Sequence, residues 1–313
     1  MLRTLMASYR NLSCTIKINS HVSDSFAIQR SVRQGGVLST FYYLTYVDDL
    51  LNDLENSNLG CRVLSTKCGN PTYADDIALI ALSPLNLQRM VDIVFSYMNE
   101  WRCDINVKKS NVIVFSKMRN PPDAGIMYGR DFFEQRNSTV HLGIRQDSNL
   151  NIMHRINERC QKAKNAFFAI SAHGLHPYGL NPLVSVNLYK KINVPIALYG
   201  CELWHNLSYR EIVIVNKLQH GIVKRILGLP MRTRSDMCES ITCCHKLYSN
   251  VVIRKLMFLH KILSLDVHST TRNIFVKRYM LYTSDKTIML CDAAQRACRI
   301  NGFKYIYALK CNA

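Results

Sequence analysis

Tyr73-Ala74-Asp75-Asp76 interrupts an apolar run that extends from Pro71 to Leu82. Two adjacent carboxylates within such a run are costly, because charges withdrawn from water are as a rule paired or bound to metal. At the bend of an apolar hairpin, such a pair can hold divalent cations against a triphosphate. A lone Asp-Asp could equally be a tight turn capping two ordinary strands, so the flanking residues decide. Upstream lies Ser31-Val-Arg33-Gln34-Gly35-Gly36-Val-Leu-Ser39, whose paired glycines allow a sharp bend or a close approach of backbone to a ligand. Downstream, Asn106-x-x-Lys109-Ser110 precedes the apolar Val112–Phe115, and His141-Leu142-Gly143-Ile144 follows. A second Tyr-x-Asp-Asp, Tyr46 to Asp49, lies in a helical pattern of apolar residues from Phe41 to Leu54. That pattern puts Asp48 and Asp49 on a solvated face, and the second motif is set aside.

These groups need elements to hold them. Cys14–Asn19 and Ser25–Arg30 read as two strands joined by a polar turn from Ser20 to Asp24. Ser39 suits a helix N-cap, opening a helix from about Thr40 to Leu54. Cys61–Leu64 reads as a short strand, and Thr72–Leu82 as a hairpin with Asp75-Asp76 at its bend. A helix is expected over Leu85–Trp101, then a strand at Val112–Phe115, a turn around Pro121–Gly125 and a short strand at Thr139–Ile144. Strands alternating with helices point to a mixed first region. From Ile152 the pattern becomes helical, with further helices at Leu183–Leu198, Arg210–Leu227 and Val251–Leu263. Pro195 predicts a kink or stop near the end of the second of these, and Gly228-Leu-Pro230 ends the third.

Charge divides the chain in the same way. The net charge is +18, from 40 Lys+Arg against 22 Asp+Glu. Residues 1–150 hold 16 basic and 14 acidic residues, whereas 151–313 hold 24 and 8. A basic second half suggests a nucleic-acid-binding surface, or a soluble basic helical domain with no specific partner. Arg155, Arg159 and Lys162 recur at helical spacing, so they could form one stripe against a phosphate backbone or a merely solvated face. The twelve cysteines lie mostly among apolar residues, as expected of free thiols. There is neither a signal peptide nor an apolar stretch long enough for a membrane, so an intracellular location (nucleus or cytoplasm) without membrane partners is expected.

Together, Arg33-Gln34-Gly35-Gly36-Val-Leu-Ser39, Tyr73-Ala-Asp75-Asp76, Asn106-x-x-Lys109-Ser110 and His141-Leu142-Gly143-Ile144 resemble the ordered palm motifs of a reverse transcriptase. The likeness is to the non-LTR (LINE-type) retrotransposon polymerases. Leu198-Tyr-Gly-Cys-Glu-Leu-Trp204 resembles part of their thumb and connection, and the likeness weakens beyond about residue 265. The resemblance implies an α+β fold, with a partial right-hand polymerase palm over 1–150 and a basic, mostly α-helical thumb or connection domain over 151–313. It implies RNA-directed DNA polymerisation by two-metal nucleotidyl transfer, with Mg²⁺ or Mn²⁺ as cofactor. The partners implied are an RNA template, a DNA primer and an incoming dNTP. Asp75 would ligate metal, with Asp76 as its partner or support. Tyr73 would pack beneath the primer end or nucleotide. Arg33, Gln34 and Gly35 would face the nucleotide and templating base, and Leu142 and Gly143 would grip the primer. Lys109 would act on the leaving phosphate, or is an ordinary solvated lysine.

The chain also departs from the family pattern. The family carries its first catalytic aspartate upstream of Arg-Gln-Gly, where this sequence offers only Asp24 in a polar turn. The expectation is therefore a palm without fingers or bridging carboxylate, N-terminally truncated and weak or inactive by itself. Thr40 also replaces a proline common after the serine. Cys238, Cys243, Cys244 and His245 lack the two ligand pairs of a zinc knuckle, and Cys291 and Cys298 have no neighbouring histidine, so zinc is not expected. The rival reading is a non-catalytic RNA- or DNA-binding protein derived from a retroelement and acting through residues 151–313.

Overall fold

The computed structural model describes residues 3, 6, 7, 10, 12–28, 36–116, 118, 121–204, 207–284 and 306–312, with residues 280–284 and 306–312 described by their backbone alone. The chain divides into two compact units, Met1–Asn52 and Asp53–Ala313.

In the first unit, β1 (Ser13–Cys14) pairs with β4 (Phe26–Ala27), and β2 (Lys17–Ile18) pairs with β3 (His21–Val22), all antiparallel. The reversal falls at Asn19-Ser20, earlier than the expected turn over Ser20–Asp24. Asn19 takes a left-handed φ of 55°, which asparagine tolerates better than most residues, so His21 and Val22 already run back along their partners. Helix α1 (Ser39–Asn56) begins at Ser39 itself and buries Val47, Leu50 and Leu54.

In the second unit, a hairpin of β5 (Arg62–Val63) and β6 (Thr66–Lys67) precedes β7 (Thr72–Tyr73) and β8 (Asp76–Ala81). Strand β8 alternates, with Ile77, Leu79 and Ala81 buried. Helix α2 (Pro84–Glu100) starts where the Ser83 hydroxyl accepts the Asn86 N–H, with proline in its first turn, and packs against β8. It buries Leu87, Met90, Val91, Val94 and Met98. Strand β9 (Asn111–Phe115) follows with Asn111 to Val114 all buried, the mark of a strand covered on both faces. A small hairpin of β10 (Met127–Tyr128) and β11 (Asp131–Phe132) then leads to β12 (Glu134–Gln135), which pairs parallel to β9.

Strands β8 and β9 are not neighbours. The space between them is filled by β15 (Ile306–Asn312), antiparallel to both, giving the sheet order β12-β9-β15-β8-β7. The expected single strand at Thr139–Ile144 is instead the middle of a hairpin, β13 (Ser138–His141) and β14 (Ile144–Asp147). Its two-residue turn, Leu142-Gly143, has φ of 49° and 72°, and these primed-turn angles suit the twist of paired strands.

The remaining elements are helical. Asn151 caps α3 (Ile152–Ser171) by accepting the Met153 N–H. Residues 182–197 form α4 (Pro182–Leu188), a π-helical turn (Tyr189–Asn193) and α5 (Val194–Ala197). The kink expected at Pro195 is met by this widened turn just before it, which accommodates a residue without an N–H. A short 3-10 turn, Cys201–Leu203, follows. Ser208 and Glu211 form a reciprocal capping box at the start of α6 (Tyr209–Ile226), and Gly228 at φ 66° ends it. Then come α7 (Ser235–Thr242), α8 (Leu247–Leu263), which starts four residues before the expected Val251, and α9 (Thr270–Ser284). Ile156, Phe167, Leu175, Tyr189, Leu198, Ile222 and Val251 share one core, which also takes up Cys238 and Cys244, while Cys243 is exposed. Cys291 and Cys298 lie outside the described residues.

Candidate active site

The β7–β8 hairpin reverses in two residues, with Tyr73 paired to Asp76 and Ala74-Asp75 as the turn. Ala74 has φ 52°, a left-handed angle that an alanine adopts at a cost. Asp75 projects from the turn and is exposed, and Asp76, at the first position of β8, is half-buried. Tyr73 presents 68% of its surface to solvent beside them.

Lys109 comes to the same end of the sheet. Strand β15 pairs Asn312 with Asp76 and Lys310 with Asn111. Strands β8 and β9 therefore begin at the same end of the sheet, with Asp76 first in one and the Lys109 turn leading into the other. Lys109 is exposed in a turn where its N–H donates to both the carbonyl and the side-chain oxygen of Asn106, at 3.0 and 3.1 Å. The Ser110 hydroxyl donates to the same carbonyl at 2.9 Å. Asn106 and Ser110 thus shape the turn that carries the lysine.

Two adjacent carboxylates are hard oxygen donors of the kind Mg²⁺ takes, an ion that keeps several waters and needs few protein ligands. Among the described residues, no third His, Cys, Asp or Glu joins them in a metal-binding cluster. They fit part of a divalent-ion site. Asp48 and Asp49 are exposed on α1, on a helix face. Arg33, Gln34 and Gly35 lie outside the described residues.

The β13–β14 turn is docked rather than free. Leu142 accepts a hydrogen bond from the Tyr199 hydroxyl at 2.9 Å, and Gly143 accepts one from the Arg159 guanidinium. That guanidinium also lies 4.6 Å from the centre of the Tyr199 ring, a cation–π contact. Gly200, at φ 73°, sits so close to Ile144 that a Cβ there would come within 2.9 Å of its Cδ1. Arg155 donates to Gln146 on β14 at 2.9 Å, and Lys162 pairs with Glu158 at 2.7 Å. The spacing of Arg155, Arg159 and Lys162 suggested a stripe facing phosphate. In this structure two of the three anchor the hairpin to α3, and the third joins an ion pair one helical turn away.

Tyr199 and Gly200 carry that anchorage, and nothing in their residue types singles them out beyond the Leu198–Trp204 run they belong to. Strand β15 was equally hidden, since the seven residues Ile306–Asn312 name no partner. The hydrogen bond from Lys162 holds the Glu158 carboxyl below the usual carboxylate range. No described helix is long and apolar enough to cross a membrane.

Residues 2–147 match the family described as reverse transcriptase (RNA-dependent DNA polymerase). A probable RNA-directed DNA polymerase from transposon X-element of Drosophila melanogaster is 24% identical over 225 residues, covering 68% of this chain and 23% of the relative. An RNA-directed DNA polymerase from mobile element jockey, also of Drosophila melanogaster, is 23% identical over 227 residues, covering 70% of this chain and 24% of the relative. The chain thus spans about a quarter of the length of the curated relatives it matches. No solved structure gives a significant match. Ordered motifs, a turn-borne carboxylate pair and these relatives agree: residues 2–147 match a reverse transcriptase domain, and the chain is similar to the RNA-directed DNA polymerases of non-LTR (LINE-type) retrotransposons.

Proposed function

We propose that the sheet end bearing Asp75 and Asp76 is the nucleotidyl-transfer end of a polymerase palm spanning residues 1–150, and that residues 151–313 serve as its thumb and connection. The activity proposed is RNA-directed DNA synthesis from a primer, with an incoming dNTP as substrate. The observation that carries this reading is the convergence of the exposed Asp75-Asp76 turn and the Lys109 turn on one end of the sheet.

The carboxylates of Asp75 and Asp76 would hold Mg²⁺ or Mn²⁺, and the bound ion would acidify the primer 3′-hydroxyl and offset charge on the departing pyrophosphate. Tyr73 offers an open aromatic face for the primer end or the nucleotide base. Lys109 presents a cation to the leaving phosphate, and Arg33, Gln34 and Gly35 are assigned to the incoming nucleotide and templating base. Leu142 and Gly143, held against Arg159 and Tyr199, form a fixed tip to lie along the primer. Arg155 and Lys162 lie on the same helix as Arg159, and the strongly basic region they belong to would supply long-range attraction for the template–primer.

Two carboxylates leave a two-ion site short of ligands, so the chain alone is expected to extend primers slowly. The test is primer extension on poly(rA)–oligo(dT) with Mg²⁺ or Mn²⁺. Slow extension that vanishes in Asp75→Asn, with the fold unchanged, supports the reading. Extension insensitive to Asp75→Asn sinks it. Salt-sensitive template binding with no extension under any ion would assign the chain to nucleic-acid binding alone.

A further inference from the structure

Cys61 and Cys68 flank the β5–β6 hairpin, which pairs Arg62 with Lys67 and Val63 with Thr66. One residue further out, the same register sets the two cysteines opposite each other, and the Cys68 N–H donates to the Cys61 carbonyl at 2.9 Å. The Cys68 thiol reaches the same carbonyl at 3.4 Å. Directly opposed antiparallel partners have Cα atoms about 4.5–5.5 Å apart, inside the roughly 4.4–6.8 Å range that a disulfide bridges.

The strands are held together here whatever the state of the thiols. Gly60 and Gly69 meet so closely that a Cβ on either would lie 2.7 or 2.4 Å from the other's Cα. The Cys61 N–H donates to Ile80 of β8 at 2.8 Å, and the Ile80 N–H donates to Gly69 at 2.6 Å. Both cysteines are free thiols, Cys61 buried and Cys68 half-buried. The thiols also share a hydrogen bond that holds the Cys68 thiol below its ordinary pKa and pushes Cys61 above. One sulfur is thus the readier nucleophile and the other keeps its proton. Cys160, Cys201, Cys238 and Cys244, by contrast, are enclosed in the helical core.

We propose that Cys61 and Cys68 are a reversible dithiol–disulfide site, oxidised by a small-molecule disulfide such as oxidised glutathione. The Cys68 thiolate attacks one sulfur of the small disulfide, forming a mixed disulfide and expelling a thiolate that takes up a proton. The Cys61 sulfur, losing its proton, then attacks the Cys68 sulfur and expels the second small thiol. Two protein thiols are oxidised, and one small disulfide is reduced to two thiols. The product closes a ring across the base of the hairpin that braces β8, the strand that begins at Asp76.

The test uses the reduced full-length chain treated with oxidised glutathione, blocked with N-ethylmaleimide and digested with trypsin without reduction. Cleavage after Arg62 and Lys67 separates the two cysteines onto different peptides unless a disulfide joins them. The expected product is a Cys61–Cys68-linked peptide pair that dithiothreitol releases. Cys61→Ser should stop the reaction at a stable glutathione adduct on Cys68, and Cys68→Ser should leave Cys61 unmodified. In the unsubstituted chain, phenylarsine oxide, which bridges neighbouring thiols, should protect both cysteines from alkylation together. A stable glutathione adduct on Cys68 of the unsubstituted chain, a link from Cys68 to another cysteine, or independent alkylation of the two after phenylarsine oxide would overturn the proposal.

Discussion

The sheet around Asp75-Asp76 and the helical region beyond Ile152 are stabilised in different ways. The helical region has one continuous core assembled from residues 152–251, most of it supplied by helices adjacent in sequence. The sheet takes its middle strand, β15, from the far end of the chain, some 190 residues after β9. Long-range closure of this kind costs chain entropy before any contact repays it. The groups with chemical potential are divided just as unevenly. The sheet exposes Tyr73, Asp75 and Lys109 at one end, while Arg155, Arg159 and Lys162 of α3 hold partners within the protein. In this protein the proposed chemistry sits on the part of the fold that is hardest to assemble.

The contrast breaks most directly at β15. Deleting residues 306–313 should strip amide protection from Ile77–Ala81 and Val112–Phe115, because both strands lose their ladder partner. Hydrogen exchange should show this loss while the protection of α3, α6 and α8 persists. Loss of protection across both regions would mean that they fold as one cooperative unit. The converse change is Phe167→Ala, which opens a cavity in the helical core and should cost about 3–5 kcal/mol. Chemical denaturation followed by exchange should place that loss in the helices, with β8 and β9 less affected.

Gly200→Ala tests the join between hairpin and helices. A left-handed φ and a Cβ pressed against Ile144 together should cost about 1–2 kcal/mol and loosen the Leu142-Gly143 tip, read as a lower Tm and faster exchange at Ile144. The smallest effect concerns Glu158. Its folded pKa is depressed by Lys162, so its stabilisation is present above the unfolded value and is lost as pH falls through the folded one. Glu158→Gln should therefore lower stability by about 0.3–0.5 kcal/mol at neutral pH and by less than that in acid, as measured by melts across the pH range.

Much of the candidate site was legible because its signals are local. A two-carboxylate break in an apolar run marks a turn, and helical spacing around Tyr46–Asp49 set aside the second Asp-Asp. The helices expected from Leu85 and from Ile152 followed from periodicity, and the structure starts them at Pro84 and Ile152. Other features were not legible, since they depend on backbone angles or distant partners. The left-handed pair at Leu142-Gly143 turned one expected strand into a hairpin, and Asn19 drew the expected turn over Ser20–Asp24 back to Asn19-Ser20.

The sequence by itself determined the order of the motifs, the basic bias of residues 151–313 and the helical character that begins at Ile152, because composition and short-range spacing carry them. Tertiary structure decided which strand lies between β8 and β9, that the Lys109 turn and Asp76 share one end of the sheet, and that Arg159 bonds Gly143 while stacking on Tyr199. Those outcomes turn on register and on which surfaces are left to be covered. A seven-residue strand or a single arginine cannot announce its partner, because the partner is chosen only when the rest of the chain has folded around it.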